Sequence, residues 1–304
     1  MPSTPYPAAA AAPTHYENFP VASWLCPPRL RPPIAAIYGF ARTADDIADE
    51  GEAAADQRLE DLHAFRAELA AAARGAAPSP RWPEVFGPLA QAMRDFALPE
   101  SLLADLLSAF MQDIEKTRDA AGYADRAELL DYCRRSANPI GRLLLHLYGV
   151  DDARALARSD AICSALQLIN FWQDLSVDLP RGRYYLPAAE LASHGFKFED
   201  FRAFRPLAPP APPPAAIALV SAQVAWARNL MNEGAPLVHR LPGRAGWELR
   251  FVVQGGLRIL DKIEVLGFDT WSQRPTIGKA DAPLLAWRAL RMRRQSPAMT
   301  SFPR

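Results

Sequence analysis

Two stretches of this chain repeat acidic side chains at the period of a helix. The first reads Ala41-Arg42-Thr43-Ala44-Asp45-Asp46-Ile47-Ala48-Asp49-Glu50, and the second reads Asn170-Phe171-Trp172-Gln173-Asp174-Leu175-Ser176-Val177-Asp178. Four residues of an α-helix turn through roughly 400°, so positions i and i+4 lie on nearly one face. Asp45 and Asp49 therefore point the same way, and so do Asn170, Asp174 and Asp178. Two such stripes facing one cavity would supply several hard divalent cations with oxygen ligands only. Magnesium suits that set, because it takes few protein carboxylates and keeps coordination sites for phosphate oxygens. The chemistry indicated is metal-assisted loss of diphosphate, with Asp45, Asp49, Asn170, Asp174 and Asp178 as candidate metal ligands.

The plain alternative for each stripe is a solvated acidic face. On the first helix Tyr38, Arg42, Asp45 and Asp49 fall at i, i+4, i+7 and i+11, while Asp46 and Glu50 form a neighbouring stripe about 100° round. Ile34, Ile37 and Phe40 are core-like, so the helix is expected to be packed. Clustered carboxylates on a packed helix repel each other unless a cation compensates. On the second helix Ile169, Phe171, Trp172, Leu175 and Val177 surround the acidic stripe almost completely. A helix apolar nearly all round is a buried helix, and carboxylates on it need partners.

The elements that must position these residues read as helices almost throughout. Prolines cluster at breaks, and Pro32 and Pro33 suit the first turn of a helix running to about Asp49. Further helices are expected near 56–74, 84–95, 99–118 and 126–148, the last kinked at Pro139. One long helix is expected over about 152–179, stopped by Pro180. Arg181-Gly182-Arg183-Tyr184-Tyr185-Leu186-Pro187 reads as a connecting loop. Short pieces near 187–193 and 197–203 follow, then helices near 215–239, 243–266 and 281–293. The proline run from Pro206 to Pro214 reads as a surface loop inside one domain. The expectation is one all-α domain of about ten helices over 16–295, with disordered tails at 1–15 and 296–304.

Composition narrows the classes. Among 304 residues, 34 basic and 34 acidic side chains cancel, so nothing global attracts nucleic acid or an anionic membrane. Cys26, Cys133 and Cys163 offer neither metal-ligand spacing nor a disulfide framework, and a reducing cytoplasm is the simplest setting. The alanine run at 8–12 lacks the basic start of a secretory signal. No stretch approaches about 18 uninterrupted apolar residues, so no membrane span is expected. Peripheral contact with a membrane stays open.

Three further groups carry weaker signals. Cys133, Ala137 and Gly141 repeat at four and make a small-residue face, suited to close helix packing and to a wall that leaves room for a bulky apolar ligand. Arg181, Arg183 and Tyr185 follow the second stripe directly. Arginine forks bind phosphate oxygens well, but a basic helix C-cap explains the pattern equally. For Arg258, Lys262 and Arg274 a solvated face is the default.

Together these residues resemble the squalene and phytoene synthase family of head-to-head isoprenyl diphosphate synthases, over about residues 17–279. The markers are Asp45-Asp46-Ile47-Ala48-Asp49, Tyr132 to Gly141, Asn170 to Asp178, and Arg181 to Pro187. The resemblance implies an isoprenoid synthase fold with a central cavity between the acidic helices, magnesium, and lipophilic prenyl diphosphate substrates. It further implies that Arg42, Arg183 and Arg274 help hold diphosphate, and that Tyr38 and Tyr132 stabilise a carbocation. Asn18, Ala137, Gly141 and Tyr185 are placed against substrate.

Within the family the chain looks most like the bacterial hydroxysqualene synthases of hopanoid pathways. The stretches carrying this are Glu17 to Ser23, Ser136 to Arg142 and Asn170 to Asp174. That likeness implies conversion of presqualene diphosphate and water to hydroxysqualene and diphosphate, without NADPH. Peripheral contact with an inner membrane, or transient contact with a neighbouring pathway enzyme, would be compatible with it. Many relatives carry Arg at the place of Gln173, which is expected to reach the cavity edge. Its neutral amide implies poor condensation of two farnesyl diphosphates. The competing readings are a condensing synthase making presqualene diphosphate or phytoene, and a non-catalytic assembly factor, which would be expected to lack the acidic ligands present here.

Overall fold

The computed structural model describes residues 26–202 and 212–292. Asn18, the rest of the Glu17 to Ser23 stretch, both tails and most of the proline run lie outside them. Among the described residues there are thirteen α-helices and no strand. The first four are α1 (Arg31–Asp49), α2 (Ala55–Ala73), α3 (Pro83–Phe96) and α4 (Glu100–Arg118). Ile34, Ile37, Phe40, Ala44 and Ala48 form the buried stripe of α1. It packs on an aromatic cluster in which Phe40, Phe65 and Phe86 lie with ring centroids 4.7–6.1 Å apart. Burying that stripe fixes the rotation of α1, so the neighbouring stripe of Tyr38, Asp45 and Asp49 turns away from this core.

The helix expected over 126–148 is two helices, α5 (Arg126–Ser136) and α6 (Asn138–Leu147). Asp125 caps α5 by accepting the Glu128 N–H at 3.0 Å. Pro139 does not kink a continuous helix. It sits in the first turn of α6, where its missing N–H costs nothing, and the backbone breaks at Ala137 (φ −122°, ψ −45°). Cys133, Ala137 and Gly141 therefore do not share one continuous helical face. Cys133 is buried in the core, and Ala137 is the junction residue.

The helix expected over 152–179 is also interrupted. α7 (Ala153–Gln173) ends at Asp174, and α8 (Leu175–Asp178) runs into a 3-10 turn at Leu179–Arg181. The Ser176 N–H donates to Thr270 O at 3.1 Å instead of to the helix. The Asp174 and Asp178 N–H groups still donate four residues back, to Asn170 O and Asp174 O at 2.9 and 2.8 Å. The acidic stripe thus survives the break. Gly182, at φ 75°, reverses the chain after it.

The remaining helices are α9 (Ala188–Ser193), α10 (Phe198–Arg202), α11 (Pro214–Gly234), α12 (Gly243–Val265) and α13 (Ala282–Arg291). The central helix α7 packs against α5, α6, α11 and α12. Helices on both sides of the proline run thus share one hydrophobic core, which holds Leu168, Trp172, Val224, Met231 and Leu260. Close approach between α6 and α7 depends on Gly141: a Cβ there would come within 2.3 Å of Ser159 Oγ and 2.6 Å of Cys163 Sγ. Gly141→Ala is expected to lower unfolding free energy by about 1–3 kcal/mol, as overpacking does. Denaturant titration with an unchanged slope would check it.

Candidate active site

The two acidic stripes meet at one end of the bundle. Arg183 joins them: its backbone N–H donates to Asp178 O at 3.0 Å, and its guanidinium pairs with Asp49. Arg183 therefore reaches into the site, whereas Arg181 is exposed. On α1, Arg42 lies against Asp45 at 3.3 Å, Asp46 at 2.6 Å and Glu50 at 2.6 Å. On α7, Asp174 receives both arms of Arg274, with Nε and Nη2 contacts of 2.5 and 3.1 Å. Arg274 is thus a site residue held by a carboxylate. Arg258 and Lys262 are not a solvated face either. They donate to the buried Asp281 at 2.8 and 2.6 Å, and with the Gly278 N–H they hold its carboxyl well below the usual range.

Burial and mutual repulsion set the electrostatics. Burial, then the Asp174 carboxylate, push Asp178 up to about 7. Burial, then Asp49, push Asp45 up to about 6, although its side chain stays partly open to solvent. Asp178 therefore feels the stronger constraint. Asn170 is half-buried one turn before Asp174, and Tyr38 is half-buried one turn before Arg42.

A fifth carboxylate at this end was not expected. Asp113 of α4 accepts hydrogen bonds from the Tyr132 and Tyr185 hydroxyls, the second at 3.4 Å. Burial pushes it up to about 7, against the pull of Tyr132 and of the Arg183 charge. Its sequence signal is a carboxylate in an apolar stripe, with Leu106, Ala109 and Asp113 at i, i+3 and i+7. Around it stands an aromatic wall. Tyr185 stacks on Phe171 with centroids 3.7 Å apart, and Tyr132 lies 6.1 Å from Phe171 and 5.6 Å from Tyr123. Tyr132 and Tyr185 are held well above the ordinary phenol range, chiefly by burial, so they stay neutral donors. Asp49, Asp113 and Arg183 also line a pocket of about 670 Å³ at this end.

A second pocket, lined almost wholly by apolar side chains, lies towards the other end of α1 and α7. Ile34, Gly141, Leu144 and Cys163 line it. Gly141 therefore serves both close packing and a cavity wall. Cys163 precedes Asp174 by eleven residues, which is about 16 Å of helix.

Gln173 does not reach a cavity edge. It is buried, and its Nε2 donates to Pro275 O at 2.7 Å. It holds the segment that carries Arg274 onto Asp174. Gln173→Arg is therefore expected to weaken inorganic diphosphate binding, not to strengthen it, by displacing Arg274. Isothermal titration of both forms would check this. Asp174→Ala likewise removes a bidentate partner of Arg274 and is expected to lower stability.

The donor chemistry fits a hard divalent cation: oxygen ligands only, with the carboxyls of Asp45 and Asp178 raised by burial and like charge. Among the described residues no three His, Cys, Asp or Glu side chains gather into one metal-binding cluster. The donors instead form one set on α1 and another on α7–α8. This fits cations that fill their coordination with water or ligand oxygens.

A buried carboxyl that titrates near 7, against an unfolded value near 3.9, keeps its proton in the folded state across that window. Stability is then greatest below the unfolded value and falls as pH rises through about 7. The Asp113→Asn variant, in chelator, is expected to flatten this part of the melting temperature profile between about pH 5 and 8. A slope equal to that of the parent would contradict the assignment.

The helical bundle thus gathers two carboxylate-bearing stripes and the arginines Arg42, Arg183 and Arg274 that pair with them. The chain matches the family model for squalene/phytoene synthase over residues 12–281. It is 36% identical to a hydroxysqualene synthase of Rhodopseudomonas palustris, across 82% of this chain and 80% of that protein. It is 31% identical to a phytoene synthase of Thermus thermophilus, across 95% and 93%. The crystal structure of squalene synthase HpnC from Alicyclobacillus acidocaldarius aligns with a TM-score of 0.72 at 35% identity, covering 84% of this chain and 90% of that one. The chain belongs to the squalene/phytoene synthase family, whose members are enzymes acting on prenyl diphosphates.

Proposed function

We propose that the protein is a hydroxysqualene synthase, converting presqualene diphosphate and water to hydroxysqualene and diphosphate in a hopanoid pathway. The observation that carries this reading is the junction of the two acidic stripes through Arg183, in a chain similar over most of its length to a hydroxysqualene synthase. Asp45 and Asp49 on one side, and Asn170, Asp174 and Asp178 on the other, would hold magnesium. There it would supply the charge that neutralises a diphosphate and eases its departure. Arg42, Arg183 and Arg274 are placed to grip diphosphate oxygens once the carboxylates they now pair with engage cations. The apolar pocket takes the hydrocarbon and excludes water from most of it. Tyr132, Tyr185 and Phe171 present ring faces and neutral hydroxyls beside the ionisation site, where a carbocation is stabilised. Asp113 positions both hydroxyls and, half-protonated near neutrality, suits guiding the water that ends the reaction.

The condensing reading, presqualene diphosphate or phytoene synthesis, shares every metal position. Product analysis separates them. Incubation with presqualene diphosphate and magnesium, without NADPH, is expected to give hydroxysqualene bearing oxygen from labelled water. Squalene formed only with NADPH, or efficient condensation of farnesyl diphosphate, would refute the reading. Asp45→Ala and Asp174→Ala are each expected to reduce turnover by about a hundred- to a thousandfold while the far-ultraviolet spectrum stays helical, the scale seen when charge stabilisation of a transition state is lost. Near-normal turnover of both at limiting magnesium would remove the metal assignment.

A further inference from the structure

We infer that the outer face of α12 and α13 docks on a bilayer surface bearing anionic lipid headgroups. Trp247 and Phe251, one turn apart on α12, are 41% and 42% exposed. Trp287 and Leu290 on α13 are 50% and 68% exposed. Arg250 joins the two helices: its guanidinium lies 4.4 Å from the Trp247 ring centroid and donates to Ala289 O at 2.9 Å. Arg291 lies 4.3 Å over the Trp287 ring. Indole rings beneath guanidinium groups make an apolar body with a charged tip, the combination that sits at a membrane–water boundary.

Charge selects a bilayer over a general apolar partner. The chain as a whole is neutral, yet residues 282–304 contain Arg288, Arg291, Arg293, Arg294 and Arg304 and no acidic residue. Asp261 holds Arg288 at 2.5 Å, which leaves Arg291 as the outward cation of α13. Arg250 and Arg291, set against exposed indole rings, are attracted to anionic headgroups. Position adds a second argument. Ala245, Glu248, Leu249 and Val252, on the other face of the same stretch of α12, line the apolar pocket. The exposed aromatics and that pocket are thus separated by the thickness of one helix. A surface there would shorten the path of a lipophilic substrate and product, and this last step alone rests on the proposed function.

Sedimentation of the full chain with vesicles tests the inference, without substrate or magnesium. The protein is expected to pellet with phosphatidylcholine mixed with phosphatidylglycerol, far less with phosphatidylcholine alone, and to be released by salt. Trp247→Ser with Trp287→Ser, and separately Arg291→Glu, are each expected to weaken binding by at least about fivefold, the scale of one arginine at an anionic surface. Circular dichroism should show both folded. A parent protein that stays in the supernatant, or variants that bind as the parent does, would overturn the inference. So would a concentration-dependent dimer in ultracentrifugation that the tryptophan variant abolishes without any vesicle binding, which would assign the face to a second copy of the chain. Because no catalysis is read, failure of the hydroxysqualene reading would leave these results unaffected.

Discussion

Five carboxylates confined to one end of a helical bundle repel one another, and the rest of the site is arranged around that repulsion. Asp45 and Asp49 leave α1 on one side, Asp174 and Asp178 close the other, and Asp113 sits behind them on α4. Their charge is too concentrated for a protein interior unless cations meet it. Arg42, Arg183 and Arg274 supply part of the compensation, and each comes from a different segment. Burial still pushes Asp113 and Asp178 upward, against the pull of Arg183.

The segment after α12 belongs to this arrangement. Thr270 O takes the Ser176 N–H, Pro275 O takes the Gln173 amide, and Arg274 reaches Asp174. Three contacts thus fasten one loop to the end of α7, and the first takes the Ser176 N–H that a continuous helix would use. Asp281, held by Arg258, Lys262 and the Gly278 N–H, anchors the far end of the same loop. The basic residues of α12 therefore act through the loop they fix and not as a solvated face.

The molecule also separates its chemistry along the helix axes. Charged groups gather where α1 and α7 end, and apolar side chains line the pocket towards their beginnings. Gly141 allows α6 to approach α7 while bordering that pocket. A prenyl diphosphate has the same polarity, with a charged head and a hydrocarbon tail, and the bundle matches it end to end.

The helical class, the two acidic stripes and the loop carrying Arg183 were legible in the sequence, because each depends on spacing within a few residues. Helical periodicity fixes which side chains share a face whatever the partner. The break at Asp174 was not legible, since it answers to a group far away in the chain, the Thr270 carbonyl that takes the Ser176 N–H; the break at Ala137 had a local signal in Pro139, which reads as a kink and instead starts a new helix. Asp113 carried a faint local signal, an acid within an apolar stripe, but its meaning came from two tyrosine hydroxyls on other segments. Gln173 shows the limit most sharply. From spacing alone it turns away from the metal stripe towards a cavity edge, yet it is buried against Pro275 and holds Arg274 in place. The sequence by itself determined which residues could act together on one helix. Only the tertiary structure decided which helices face each other and which carbonyl captures which donor, because those choices follow from packing the core.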